Sequence, residues 1–358
     1  MTMLRSLMTE TTLEDSADVS DQEDSLFSQL KREHSLALKA IKAHHVDKIH
    51  RVTDIPSERA DFLGRHLLAE FKIIPEKISS SEFQTNPVEF FKNMLLEAAK
   101  AAEATILGSH ASQTQAGDVW GIVVIEESHF SLHYRKAQNF LAIDVFTCGL
   151  IKLKSAITYI ESALGISPYD QVEFKRGIYQ ADDKRFLEGI ALPHPENESS
   201  YHFFKHKNQR LSLGQHVISE FYGCHVDRIN NADFVLKAFN EGLTAGGARK
   251  DGRFTFVHQF SPQGISAVVC GEDFHLTIHD WPEHGYGAID VCAFGEKIHL
   301  LQVMKEIAEF FQAERTSQYA IPRGSYRFDK KLLQPVFKEY LFDMADSPKS
   351  QPTPRLLT

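Results

Sequence analysis

The run from Glu126 to Gly149, EESHFSLHYRKAQNFLAIDVFTCG, places a hydroxyl (Ser128), an imidazole (His133) and a thiol (Cys148) at short range. Those groups are the ingredients of a nucleophile with a neighbouring base. Blander readings stay open on the residues alone. A serine in a strand commonly satisfies a neighbour, and a cysteine in an apolar run is commonly a packed thiol. A zinc reading of His129, His133 and Cys148 lacks a fourth ligand at useful spacing. The sequence contains no phosphate-binding glycine loop, no GxSxG elbow and no HExxH.

A second run, GEDFHLTIHDWPEHGYGAIDVCAFG from Gly271 to Gly295, matches the first without gaps. SHFSLH at 128–133 recurs as FHLTIH at 274–279, and FLAIDVFTCG at 140–149 as YGAIDVCAFG at 286–295. Upstream, LGRHLLAEF at 63–71 recurs as LGQHVISEF at 213–221. The offsets are 150, 146 and 146 residues, in order, so the chain is a tandem duplication.

The copies diverge at polar positions. Ser128 aligns with Phe274 and Cys148 with Phe294, whereas His133 aligns with His279. Copy two has Trp281, Pro282 and Glu283 against Arg135, Lys136 and Ala137, and Phe260 and Ser266 against Thr114 and Trp120.

Each copy must position these residues with the same elements. Alternating strands open the copies at 64–72 and 214–222. A helix follows in copy one, with Val88, Phe91, Leu95, Ala98 and Ala102 on one face. Three or four strands come next (about 104–146 and 247–293), rich in Val, Ile and Phe. A closing helix carries Leu150, Leu153, Ile157, Ile160 and Leu164 before Gly165; its counterpart carries Leu301, Met304, Ala308 and Phe311. The expected fold is α+β: two-layer units, each an antiparallel sheet covered by helices, forming a pseudo-dimer. The division runs 1–61 (acidic disordered head and a helix near 26–43), 62–177 (repeat one), 178–211 (linker), 212–315 (repeat two) and 316–358 (extension and loose tail).

With 358 residues, 42% hydrophobic and 24% charged, the chain has the balance of a globular protein of two domains. Its net charge of −9 lies mostly in residues 1–24, where seven acids face Arg5 alone, so no footprint for nucleic acid or an anionic membrane is expected. No apolar run approaches the roughly 20 residues of a membrane helix, and the head has no secretory apolar region. Four cysteines without CxxC pairing suggest no disulfide framework. A cytoplasmic location is the expectation.

The run ESHxxxH…DVFTCG behind LGRHLLAEF, with WPEHGYGAID in copy two, resembles the bacterial S-adenosylmethionine decarboxylase family over about 62–177 and 212–315. That family cuts its own chain and works through a pyruvoyl group. The resemblance implies cleavage between Glu127 and Ser128, giving a β fragment (1–127) and an α fragment (128–358) that stay associated. It implies an N→O acyl shift by the Ser128 hydroxyl, elimination, and hydrolysis to a pyruvoyl terminus. The ketone then forms a Schiff base with the substrate amine and takes up the electrons released with carbon dioxide.

By the same resemblance Cys148 returns a proton to the substrate carbon, and Ser266 and His279 assist processing. Phe260 stacks on adenine, Glu283 accepts the ribose hydroxyls and Trp281, in the substrate-side loop, is a further substrate-binding residue, while Phe62 is a weaker candidate for a second stacking ring. His133 falls to the opposite, unused site. Such duplicated chains have one composite site, which fits the loss of Ser and Cys from copy two and of Phe, Ser and Glu from copy one. The expected product is decarboxylated S-adenosylmethionine for spermidine synthesis. Alternatives are a pyruvoyl-dependent decarboxylase of ornithine or arginine, and a catalytically dead regulatory homologue.

Overall fold

In the computed structural model, the residues described are 60–126, 128–180, 186, 211–295 and 297–326, all within one compact unit, Val46–Thr358. The acidic head, the expected helix near 26–43, Glu127, most of the linker and the tail beyond 326 lie outside them.

Copy one comprises β1 (Ala60–Lys72), α1 (Ser81–Thr85), α2 (Pro87–Ala101), β2 (Ile106–Gln113), β3 (Val119–Ile125), β4 (Ser128–Arg135), β5 (Phe140–Thr147), α3 (Leu153–Leu164) and β6 (Asp170–Gln180). Copy two repeats this as β7 (Leu211–Tyr222), α4 (Val226–Ile229), α5 (Ala232–Ala245), β8 (Phe254–Gln259), β9 (Ile265–Gly271), β10 (Phe274–Trp281), β11 (Tyr286–Phe294), α6 (Leu300–Phe311) and β12 (Arg315–Tyr326). The sheets run β2-β3-β4-β5-β1-β6 and β8-β9-β10-β11-β7-β12, with every neighbouring pair antiparallel.

Local chemistry sets the helix ends. Pro87 opens α2, and the Asn86 side chain accepts a hydrogen bond from the Glu89 N–H at 3.3 Å; such a cap contributes about 1 kcal/mol. Gly165 ends α3 in the left-handed conformation that L side chains resist. Leu150, expected on the apolar stripe of that helix, lies before it and is fully exposed. The correction follows from the loop: the Thr147 hydroxyl engages Gly149, and the helix starts only at Leu153.

Strand alternation builds two kinds of core. On β3, Val119, Val123 and Ile125 face α2 and α3, while Trp120, Ile122 and Val124 meet Val268 and Cys270 of sheet two. Leu68, Val172 and Phe174 likewise meet Ile218, Tyr319 and Ile321. The sheets therefore pack face to face with helices outside. Each buried large apolar side chain contributes about 1.5–3 kcal/mol.

Two features go beyond the sequence reading. β12 extends repeat two past 315: it pairs along β7 as β6 pairs along β1, so residues 316–326 are sheet rather than extension. The inter-sheet layer is also heavily charged. Arg176 of copy one pairs with Glu220 and with Asp290 (2.8 Å) of copy two, and Arg323 of copy two pairs with Glu70 of copy one (2.7 Å). All five side chains are fully buried. Among the described residues no helix is long and apolar enough to cross a membrane.

Candidate active site

Ser128 opens β4. Only Glu126 and Glu127 separate it from Ile125, its partner on β3, and Thr147 of β5 is its partner on the other side. Strand alternation assigns it to the helix-facing row with Phe130 and Leu132. Its counterpart Phe274 obeys that rule and packs in the helix-side core of copy two. Ser128 instead has φ +150°, and its hydroxyl lies between the sheets, 2.7 Å from Nε2 of His279 on β10. A non-glycine residue in that region costs about 1–3 kcal/mol.

The hydroxyl also lies 3.2 Å from His129 Nδ1, which is 3.3 Å from His279 Nε2. On its other nitrogen, His279 Nδ1 contacts the hydroxyl of Ser266 at 2.9 Å, its direct partner across β9. The His279 ring is stacked between His129 (5.5 Å, 9°) and Phe146 (4.4 Å, 14°), and the Arg176 guanidinium covers the Phe146 ring. Gly64 makes room for this stack, since a Cβ there would meet Phe146 Cζ at 2.7 Å.

Electrostatics keep both imidazoles neutral. Burial, then His129, Arg176 and His66, hold His279 well below its ordinary value. Burial takes His129 down to about 3, against the pull of Asp144. A neutral His279 that donates from Nδ1 to Ser266 presents a lone pair at Nε2 to the Ser128 hydroxyl.

The remaining candidates fall into groups. Cys148, directly after Thr147, is exposed rather than packed in the core. Phe260 is half-buried at the start of the β8–β9 turn, its N–H donating to Gly264 and its ring edge-on to His258 at 4.6 Å. Glu283, in the short helical turn after β10, is exposed and accepts from Gln263 of that same β8–β9 turn at 3.2 Å. Phe260 and Glu283 thus sit on two linked turns at the end of β10 that carries His279. Trp281 stands apart, packed on Tyr286 at 5.4 Å within the cluster of Phe146, Tyr222 and Ala288. Phe62 lies under Lys175, with Nζ 4.8 Å from its ring centre.

His133 occupies the opposite position. Its Nε2 is 3.0 Å from His275 Nδ1, and its ring lies against Phe294, the residue that replaces Cys148. Sequence reasoning treated His129 only as a possible metal ligand. Strand alternation puts His129, Ser131 and His133 on the inter-sheet face but assigns Ser128 to the opposite row, so their contact depends on the +150° φ of Ser128, for which the sequence carries no signal.

Among the described residues, three buried groups have metal-like spacing: His216–His275–Cys292, His66–His216–Asp290 and His129–Asp144–His275. Their chemistry suits an ion-pair network better. His66 contacts Asp144 (2.5 Å) and Arg176 (2.9 Å), and His275 contacts Asp144 (3.0 Å) and His133. Burial acts to raise the Asp144 carboxyl, but His66, His216 and His275 override it and hold it well below its ordinary value. Guanidinium groups already supply positive charge there.

Comparison with known proteins gives one family. The model of S-adenosylmethionine decarboxylase matches residues 65–177 and again 215–324, together more than half of the chain. The S-adenosylmethionine decarboxylase proenzyme 2 of Halalkalibacterium halodurans is 42% identical over 113 residues, 32% of this chain and 87% of that protein. The proenzyme of Oceanobacillus iheyensis is 38% identical over 124 residues, 35% of this chain and 97% of that one. Such relatives are about one repeat long. Among solved structures, the adenosylmethionine decarboxylase of Aquifex aeolicus is 26% identical, covering 33% of this chain and 95% of its own, with a TM-score of 0.30.

Proposed function

Since the chain belongs to the S-adenosylmethionine decarboxylase family, we propose that it is a self-processing, pyruvoyl-dependent decarboxylase of S-adenosylmethionine with one composite site. The observation that carries this reading is the Ser128 hydroxyl of copy one held 2.7 Å from His279 of copy two. The strained serine fits the group expected from it, because its hydroxyl is turned off the helix side and onto a neutral imidazole. In that role Ser128 Oγ attacks the Glu127 carbonyl, His279 takes the hydroxyl proton, and Ser266 fixes the His279 tautomer. When formed, the pyruvoyl group supplies an electron sink for loss of carbon dioxide.

Cys148, exposed beside the strand position paired with Ser128, is the proton donor in this scheme. Phe260 and Glu283, on their linked turns, bind the adenine and the ribose hydroxyls. Trp281 supports that turn from behind through Tyr286, a positioning part rather than a substrate contact. The fragments 1–127 and 128–358 remain associated because β1 and β3 of one pair with β4, β5 and β6 of the other. The product supplies aminopropyl groups for spermidine, and the cytoplasm is the proposed location.

Ser128→Ala tests the reading directly. It should leave one uncut, inactive chain; an active Ser128→Ala protein would refute the pyruvoyl assignment. For the substrate, Glu283→Gln should raise the KM for S-adenosylmethionine roughly tenfold or more, the loss of one charge-assisted hydrogen bond. Arg135→Ala, in the corresponding loop of copy one, should leave KM unchanged. An unaltered KM in Glu283→Gln would remove the ribose assignment.

A further inference from the structure

We propose that His129 is a second catalytic imidazole for cleavage at Ser128, sharing with His279 the proton that the serine hydroxyl gives up. The inference rests on the self-processing reading above. His129 Nδ1 touches the reacting oxygen at 3.2 Å and faces His279 Nε2 at 3.3 Å, with the two rings almost parallel. Its other nitrogen, Nε2, is fully buried and has no hydrogen-bond partner among the described residues. The carboxylate facing it is Asp144, with Oδ1 at 4.0 Å.

That placement selects a tautomer. A hydrogen on Nε2 points toward the Asp144 charge, which leaves the Nδ1 lone pair toward Ser128 and His279. With His279 donating to Ser266, two imidazole lone pairs meet across 3.3 Å. This is unfavourable until a proton sits between them, and the serine proton is the one at hand. As the Oγ–H bond breaks, its electron pair forms the bond to the Glu127 carbonyl carbon, and the proton rests between the imidazoles, facing Asp144. As the scissile C–N bond breaks, its electrons go to the Ser128 nitrogen, which takes that proton back. The pair ends unchanged, and no other reactant is required.

The opposite half provides an internal control. His275 and His133 form the equivalent pair, with nitrogens at 3.0 Å and rings 5.3 Å apart. There the outer nitrogen of His275 is satisfied by Asp144 at 3.0 Å, and Phe274 replaces the serine. Both halves keep the imidazole pair, but only the half with the serine leaves its outer nitrogen without a bond. The charged or titratable groups around His129 are His275 and His279 on β10, Asp144 on β5 and His66 on β1; Arg176 on β6 acts on His279.

The test times cutting of the full chain made by cell-free translation, between pH 6 and pH 9, for the wild type, His129→Asn and His279→Ala. Asn keeps a hydrogen-bonding atom near Nδ1 but cannot carry a proton. Expected is a wild type that cuts and a His129→Asn chain that cuts about 10²-fold more slowly, with a changed pH profile. A purely structural role would be restored by Asn, so wild-type rate and profile in that variant would overturn the proposal. If His129→Asn does not melt cooperatively, His129→Gln is judged by the same criterion. A wild type that never cuts would defeat the self-processing reading itself, whereas a cutting wild type with full-speed His129→Asn defeats only this inference.

Discussion

Four described non-glycine residues have positive φ; Glu103, Asn139 and Gln312 lie between 49° and 62°, and Ser128 alone stands at 150°. Strain of that kind persists where surrounding contacts over-determine it. Here the contacts are two imidazoles and the strand partners on both sides. Two substitutions should separate processing from turnover. His279→Ala should slow cutting by about 10²–10⁴-fold, followed as uncut chain over time. Cys148→Ala should cut at the wild-type rate yet decarboxylate poorly, followed as carbon dioxide release. Loss of cutting in Cys148→Ala, or normal cutting in His279→Ala, would reverse the assigned roles. Ser128 and Ser266, which the structure brings to His279, stood out in the sequence because the copies diverge at their positions; His279 matches His133 and stood out only through the resemblance, four residues before Glu283. His129 was not legible that way, since His275 matches it and nothing diverges.

The elements hold the site by shape. β1 brings Gly64 under Phe146, β5 brings Phe146 under His279, and β6 brings Arg176 over the Phe146 ring. Gly64→Ala would put a methyl 2.7 Å from the Phe146 ring, displacing the stack at a cost of about 1–3 kcal/mol. The expected result is a lower melting temperature together with slower cutting. A Gly64→Ala protein with unchanged cutting would show that the Phe146 stack does not position His279. Most strands and helices could be read from alternation and from the Leu, Ile and Phe stripes. β12 could not, because Pro322 and Arg323 interrupt its pattern. A fainter recurrence, RGIY at 176–179 and RGSY at 323–326, marks it. Those arginines reach across the layer to the acids of the other copy.

At the scale of the whole molecule, duplication places two apolar-and-charged sheet faces against each other. The two sheets pack face to face. The residues that define it, His66 with Glu70 and His216 with Glu220, are common to both copies, so a reading built on differences passes over them. Burial of histidines in the molecule has a consequence for pH. His129 drops from 6.5 to about 3 on folding, and burial also holds His133, His216 and His279 well below their ordinary value. At these four imidazoles the unfolded chain therefore binds more protons than the folded one between about 3 and 6.5, so their contribution is intact above 6.5 and is lost as pH falls through that window. Burial acts the other way on Asp170, raised to about 9, and on Asp280 and Glu220, also raised. The urea midpoint should therefore decline only below about pH 6, where the unfolded histidines are mostly protonated; no decline between pH 6 and pH 4 would mean that these imidazoles are charged in the folded state.

The central claim, that the chain cuts itself at Ser128, is tested most directly by the intact mass of purified protein under denaturing conditions. The account predicts two species that break between Glu127 and Ser128, the larger one lighter by one ammonia than a serine-headed fragment. A single chain of 40.6 kDa would contradict it.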